Sequence, residues 1–422
     1  MRILTIEKND VDEIAKRLRL ETIQQLPIGE VYTIIEEVRR RGDKALLEFE
    51  EKFDGVKLSK NDLKVKEHEI LEAYENTPRE VIDSIKVIVE RLESFESKRL
   101  AEILKCQVRV IEDDGVTITY ETIPLDRVGV YVPGGRAYYP SSLIMSIVPA
   151  KIAGVKSIAI TTPPNREGKI DPVVLATCYL LGVDEIYKVG GAQAIAALAY
   201  GTETIKPVDM IVGAGGRYVT AAKHIVSTFK PIEFLAGPTE LVVLADGTAN
   251  PKFIAYDLAS QAEHGDDSIV ILATDSKELA SRVIEVLKDK DVKTLNMLTV
   301  VIGELKLLVD FVNTFSPEHV QVVGEEAEKY TNNIKKAGLV LIGEYTPTAA
   351  SDYVLGTNHI LPTYGLSSGK SGLSPLNFLK TIVKVKATKD GLFKLKDYGI
   401  CLAIKENLLK HVEALEVRFY EH

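Results

Sequence analysis

The fold turns on the run Arg127-Val-Gly-Val-Tyr-Val-Pro-Gly-Gly135, where the character of the chain changes. Before it the sequence is heavily charged and helical in period. After it, strand-like and helix-like runs alternate closely. Strands are expected at 128–132, 157–161, 185–189 and 210–212, and helices at 142–153, 173–181, 192–200 and 218–226. That alternation argues for a parallel sheet covered by helices on both faces. Two strands run into glycine pairs, Gly134-Gly135 and Gly190-Gly191, and a third into Gly213-Ala-Gly-Gly216. Such loops lie at the carboxyl ends of strands, where open parallel sheets bind ligands. None spells GxGxxG, so tight turns explain them as well as a dinucleotide does.

Downstream, a second α/β series follows Gly237-Pro238, with strands expected at 241–244, 269–272, 320–323 and 339–342. Between its first two strands lies a helix with Asn250 as cap, Pro251 at the first position and Gly265 as stop. A Gly/Ser-rich stretch, Gly365 to Gly372, reads as a linker or a substrate-facing loop, and a tail of fifty residues, 373–422, ends the chain. Upstream, Val31, Ile34, Ile35 and Val38 keep helical register, as do Val81, Ile82, Ile85, Ile88 and Val89. Asp114-Gly115, flanked by alternating residues in 106–120, signals a hairpin.

A chain of 422 residues is too long for one ordinary core, so two or more domains are expected. Hydrophobic residues at 45% and charged residues at 27% are those of a soluble globular protein. A net charge of -9 argues against nucleic acid as the main partner. Three cysteines, Cys106, Cys178 and Cys401, form no CxxC pattern and point to a reducing compartment. No signal peptide is expected from the first residues, and no apolar run approaches the ~20 needed to span a bilayer. A cytoplasmic enzyme that engages neither membrane nor nucleic acid is the expectation.

Gln261 and His264 lie three apart, on neighbouring parts of one helix face. An amide oxygen and an imidazole projected together can hold two positions on a metal ion. Alone, the pair reads more readily as a solvated helix end, with the His near the negative end of the dipole. Pro317-Glu318-His319 sets a carboxylate and an imidazole side by side before a strand, and Asp352 follows a Thr-Pro turn. Glu406 and His411 are five apart in the tail, which by spacing suits a solvated helix face. Cys178 sits in an apolar run and reads as an inert core thiol, and none of the cysteines has a base beside it in sequence. A thiohemiacetal mechanism is therefore not expected.

Six stretches carry a resemblance. They are Val128 to Gly135, Gly190-Gly-Ala-Gln-Ala-Ile-Ala-Ala-Leu-Ala-Tyr-Gly-Thr202, Ala236-Gly-Pro-Thr-Glu240, Leu258-Ala-Ser-Gln-Ala-Glu-His-Gly265, Pro317-Glu-His319 and Gly356-Thr-Asn-His-Ile-Leu-Pro-Thr363. In this order the chain resembles the histidinol dehydrogenases, which oxidise L-histidinol to L-histidine with two NAD. The resemblance implies zinc held by Gln261, His264, Asp352 and His411, the donor set also admitting manganese. It implies Glu318 and His319 as the catalytic pair. Substrate contacts would come from Thr239, where the family usually has serine, and from Glu406, His319 and the four metal ligands. Tyr131, Gln193 and Gly216 match positions that contact NAD, although the family commonly reads Gly-Pro-Gly-Asn where this chain has Gly213-Ala-Gly-Gly216. It further implies a homodimer with shared sites, His411 crossing to its partner. The implied fold is two incomplete Rossmann-like, aldehyde-dehydrogenase-like α/β domains. The expected divisions are a helical arm at 1–25, a first α/β domain at 26–127 plus 242–372, an NAD-binding domain at 128–241 and a dimerisation tail at 373–422. A metal-dependent hydrolase using the same Gln/His/Asp cluster, or a non-catalytic metabolite-binding protein, are the competing classes. Neither would reduce NAD.

Overall fold

The computed structural model describes residues 1–22, 26–107, 109–134 and 139–420. Gly135, singled out above, lies outside them. In chain order the strands are β1 (Arg2–Thr5), β2 (Val110–Asp113), β3 (Val116–Pro124), β4 (Arg127–Tyr131), β5 (Ser157–Thr162), β6 (Ile186–Lys188) and β7 (Met210–Val212). They continue as β8 (Glu240–Ala245), β9 (Ile269–Thr274), β10 (Thr299–Ile302), β11 (His319–Val323), β12 (Leu339–Ile342) and β13 (Leu379–Ala387). Among the described residues, no helix is long and apolar enough to cross a membrane.

Two compact units are present. One comprises Met1–Lys98 with Leu125–Phe378, the other Arg99–Pro124 with Leu379–His422. The first holds two parallel sheets, of order β6-β5-β4-β7 and β1-β10-β9-β8-β11-β12. β4 is apolar on both faces because helices cover both, which is why Val128 and Val130 are fully buried. In the larger sheet β8 is a central strand, buried along its whole length between β9 and β11. The second unit is an antiparallel sheet, β13-β3-β2, with the helices Lys389–Lys405 and Leu409–Glu416. Its hairpin turns at Asp114 and Gly115, both at positive φ (44° and 82°), the backbone that an Asp-Gly pair supplies.

Strand pairing and core packing divide the first 127 residues differently from the expected boundaries. The first residues are not wholly helical, because Arg2–Thr5 pair in register with β10. Four residues at an edge are too few for a period-2 pattern to stand out beside the following helix. The helix Ile28–Arg41 buries Val31, Ile34, Ile35 and Val38 in one core with Ala194, Ile195 and Leu198 of the helix Gly191–Tyr200. It therefore packs with the four-stranded sheet, not with the segment 242–372. Periodicity shows which face is apolar but not which core receives it. The hairpin joins the tail, since β3 pairs with β13 along nine residues. The Gly/Ser-rich stretch does not hang free: Ser367 is buried, and its Oγ donates to the Pro362 carbonyl.

Candidate active site

β8 and β11 lie side by side with His319 opposite Leu241, so the residues before each strand meet at one end of the sheet. There the Glu318 carboxylate accepts hydrogen bonds at Oε2 from Thr239 Oγ1 (2.8 Å) and from the Glu240 N–H (2.9 Å). Gln261 reaches the same point from the last turn of the helix Pro251–Ala262. That helix starts as expected: the Asn250 side chain caps the Lys252 N–H at 2.9 Å, and Pro251 follows it. The Gln261 amide nitrogen donates to Thr239 Oγ1, which leaves its carbonyl oxygen as the atom free to meet a cation. His264 lies just past the helix end and is exposed.

His319 is buried, with Nδ1 3.5 Å from Glu318 Oε2, an ion-pair contact without hydrogen-bond alignment. Among the described residues neither of its ring nitrogens has a hydrogen-bond partner. Two unpaired nitrogens in a buried imidazole are costly unless something else is to be met there. Burial alone would push His319 down, but the Glu318 carboxylate, with Asp352 behind it, holds it above the ordinary imidazole value. Asp352 caps the short helix Thr348–Ser351, and its carbonyl lies 2.9 Å from His359 Nδ1. The structure thus gathers Thr239, Gln261, Glu318, His319 and Asp352. Among the described residues, no three His, Cys, Asp or Glu side chains form a metal-holding group. The expected donors of this unit include only two of those types, His264 and Asp352, beside the amide of Gln261. A neutral oxygen, an imidazole and a carboxylate make a mixed O/N set that fits a borderline divalent ion.

The glycine loops form a second face. Tyr131 ends β4, and its hydroxyl accepts the Gly191 N–H at 3.3 Å. Gly213 sits at φ 118°, and a Cβ there would collide with the Tyr131 carbonyl. A Cβ at Gly216, which caps the helix Arg217–Val226, would meet nothing within 4 Å. Gln193 is buried, its amide nitrogen 2.9 Å from Glu50 Oε1, which also accepts the Gly190 N–H at 3.0 Å. A cleft of about 770 Å³ opens beside Gly191 and Gln193, within the size range of small-molecule and cofactor sites. Open room at Gly216 and the paired glycine turns fit a dinucleotide laid against backbone.

Glu50 is raised to about 8 by burial and by the neighbouring Asp54 charge, which outweigh its hydrogen bonds to Gln193 and Gly190. A carboxyl raised in the folded state holds its proton where the unfolded chain has lost it. Its contribution is full below the unfolded value of about 4.3 and is lost as pH rises toward 8. Glu50→Gln mimics the protonated form. Thermal melts from pH 5 to pH 8 should therefore show the variant gaining on the wild type, by at most about 1.4 kcal/mol per pH unit. A difference that stays flat across that window removes the raised carboxyl.

The histidinol dehydrogenase family profile matches residues 19–419. A histidinol dehydrogenase from Methanocaldococcus jannaschii is 40% identical, covering 99% of this chain and 98% of its own. One from Listeria monocytogenes serotype 4b is 42% identical over the whole of both chains. The chain belongs to the histidinol dehydrogenase family. A solved histidinol dehydrogenase from Elizabethkingia anophelis superposes with a TM-score of 0.88 at 35% identity, covering 99% of this chain and 98% of that one.

Against the residues that the family resemblance implies, the first unit carries Tyr131, Gln193, Gly216, Thr239, Gln261, His264, Glu318, His319 and Asp352. Glu406 and His411 belong to the second unit and are exposed there, at the end of one helix and the start of the next. Several supporting residues escaped the reading of the sequence. Asp257, one turn before Gln261, is pushed up to about 6 by burial and accepts Gln321 Nε2 at 2.7 Å. Gln321 is two residues beyond His319, so this bond fastens the histidine's strand to the glutamine's helix. Glu50 and Glu240 are buried carboxylates of the same supporting kind. Glu240 closes a motif quoted above; an isolated Glu50 in a charged helical run carries no signal.

Proposed function

We propose that this chain oxidises L-histidinol to L-histidine with two NAD, the closing step of histidine biosynthesis, in the cytoplasm. The reading is carried by buried His319, its nitrogens unpaired, beside a Glu318 carboxylate held by Thr239 and the Glu240 N–H. His319 in its neutral form takes the hydroxyl proton of the alcohol, then that of the hydrate in the second half. Glu318 takes a proton from the water that adds to the aldehyde-level carbon between the two halves. Thr239 orients that carboxylate and is itself oriented by Gln261. Tyr131, Gln193 and Gly216 would hold NAD, which would supply the hydride acceptor for each half. Gln261, His264, Asp352 and His411 would hold zinc, or manganese, which would supply Lewis acidity toward the bound substrate. Segment 128–241 would be the NAD-binding domain and segment 373–422 the dimerisation tail, with His411 and Glu406 given to the partner's site. Exposed Phe393, Tyr398, Leu402 and Leu409 on that tail support a docking role.

The test is to follow NADH with L-histidinol and NAD, expecting two NADH for each histidine formed. A hydrolase or a binding protein would yield none. Chelation should abolish the reaction and added zinc should restore it. Full activity in protein shown to be metal-free would remove the metal from the reading.

A further inference from the structure

Glu318 sits at the end of a turn that is gripped from outside the site. The helix Leu305–Phe315 ends at Ser316, a non-glycine residue at φ 52°, and Pro317 leads directly to Glu318. Arg19, on the helix Val11–Thr22, reaches this turn and is nearly buried. Its Nε and Nη2 donate to the Phe315 carbonyl at 3.0 and 2.7 Å, and Nη2 lies 3.3 Å from the Ser316 carbonyl. The guanidinium carbon stands 3.8 Å from the centre of the Phe315 ring. The same guanidinium meets the fully buried Glu240 carboxylate two-pronged, Nη1 to Oε1 at 2.5 Å and Nη2 to Oε2 at 2.9 Å.

Glu240 passes the constraint on. Its Oε2 accepts the Glu318 N–H at 3.2 Å, its Oε1 accepts the Tyr364 N–H at 2.9 Å, and its own N–H holds Glu318 Oε2. Main chain and carboxylate of Glu318 are thus both tied to one residue, and that residue to Arg19. Burial raises the Glu240 carboxyl, and Arg19 opposes that rise. While Glu240 stays ionised, both of its oxygens remain acceptors. A buried ion pair is often no more stabilising than an apolar replacement. What this pair supplies is a fork geometry, which lysine cannot reproduce.

We propose that Arg19 is a positioning residue for Glu318, acting through Glu240 and the turn 315–318 to aim the carboxylate at the water it activates. The proposal rests on the assignment of that water to Glu318. Arg19 makes no hydrogen bond to His319, and Arg19→Lys leaves the Glu318 charge beside that histidine in place. Above the acid limb of the rate profile, its loss therefore falls on the half in which Glu318 takes the proton of water.

The test measures the halves separately in the holoenzyme, with Arg19→Lys and Glu240→Gln. The first half is alcohol oxidation with the aldehyde trapped by a hydrazine, one NADH per turnover. The second is oxidation of aldehyde supplied directly. Arg19→Lys should slow the second half about 10- to 100-fold, the scale of a misaimed reacting group. It should leave the first half within about threefold and KM for NAD unmoved. Glu240→Gln, with one amide oxygen where the carboxylate uses two, should show the same asymmetry, and it decides the matter if Arg19→Lys does not fold. Equal slowing of both halves in these variants overturns the proposal, as does loss of cooperative melting in both. Glu318→Gln is the control. If it too slows both halves equally, the assignment of the water has failed, and the proposal falls with it rather than by itself.

Discussion

His319→Gln should lower turnover with L-histidinol by roughly 10²-fold or more, the scale of a lost general base, while metal content stays at the wild-type level. The argument is geometric. His319 is buried at the mouth of β11 with both nitrogens unpaired, and it is not among the residues assigned to the ion. Its base must be neutral to act, and the Glu318 charge raises it. The acid limb of the rate profile should therefore lie above the ordinary imidazole value of about 6.5. Glu318→Gln removes that charge, so the limb of the first half-reaction should move to lower pH in that variant. The same variant should still produce aldehyde but little histidine. Near-normal turnover in His319→Gln would end its role as base, and a limb that does not move would end the electrostatic argument.

How much of this was legible beforehand follows from what each signal measures. The apolar run now seen as β4 and the Asp-Gly turn between β2 and β3 are local, and both stand within a residue of their expected places. The helix Ile28–Arg41 was legible as a helix but not as a neighbour of the helix Gly191–Tyr200, because an apolar face names no partner. β1, β10 and β13 went unseen, being short or lying at sheet edges, with pairing set by segments far away in sequence. At the site, spacing put Gln261 and His264 on one face. The helix ends at Ala262, however, so Gln261 is buried and His264 exposed. Arg19 was invisible because its partner Glu240 stands across more than half of the chain, and no local pattern records a contact of that range.

The tail provides the sharpest test of the shared site. His264→Ala and His411→Ala proteins should each be nearly inactive, since each lacks one proposed ligand in every site. His264 belongs to the unit that carries Gln261 and Asp352, and His411 to the unit built from hairpin and tail, where it is exposed. If each site takes His411 from its partner, a mixed dimer can gather both lesions in one site and leave the other with all four ligands. Mixing the two proteins after partial denaturation should then recover activity that neither has alone. Random pairing makes about half of the dimers mixed, each with one intact site, so recovery should approach roughly a quarter of wild type if sites act independently. If the tail serves its own chain instead, every site in a mixed dimer carries a lesion. No recovery, with subunit exchange proven by mass or by label, would leave His411 within its own subunit's site or outside any site. Recovery near a quarter would require the crossing, because within single chains there is no arrangement of these two lesions that restores four ligands.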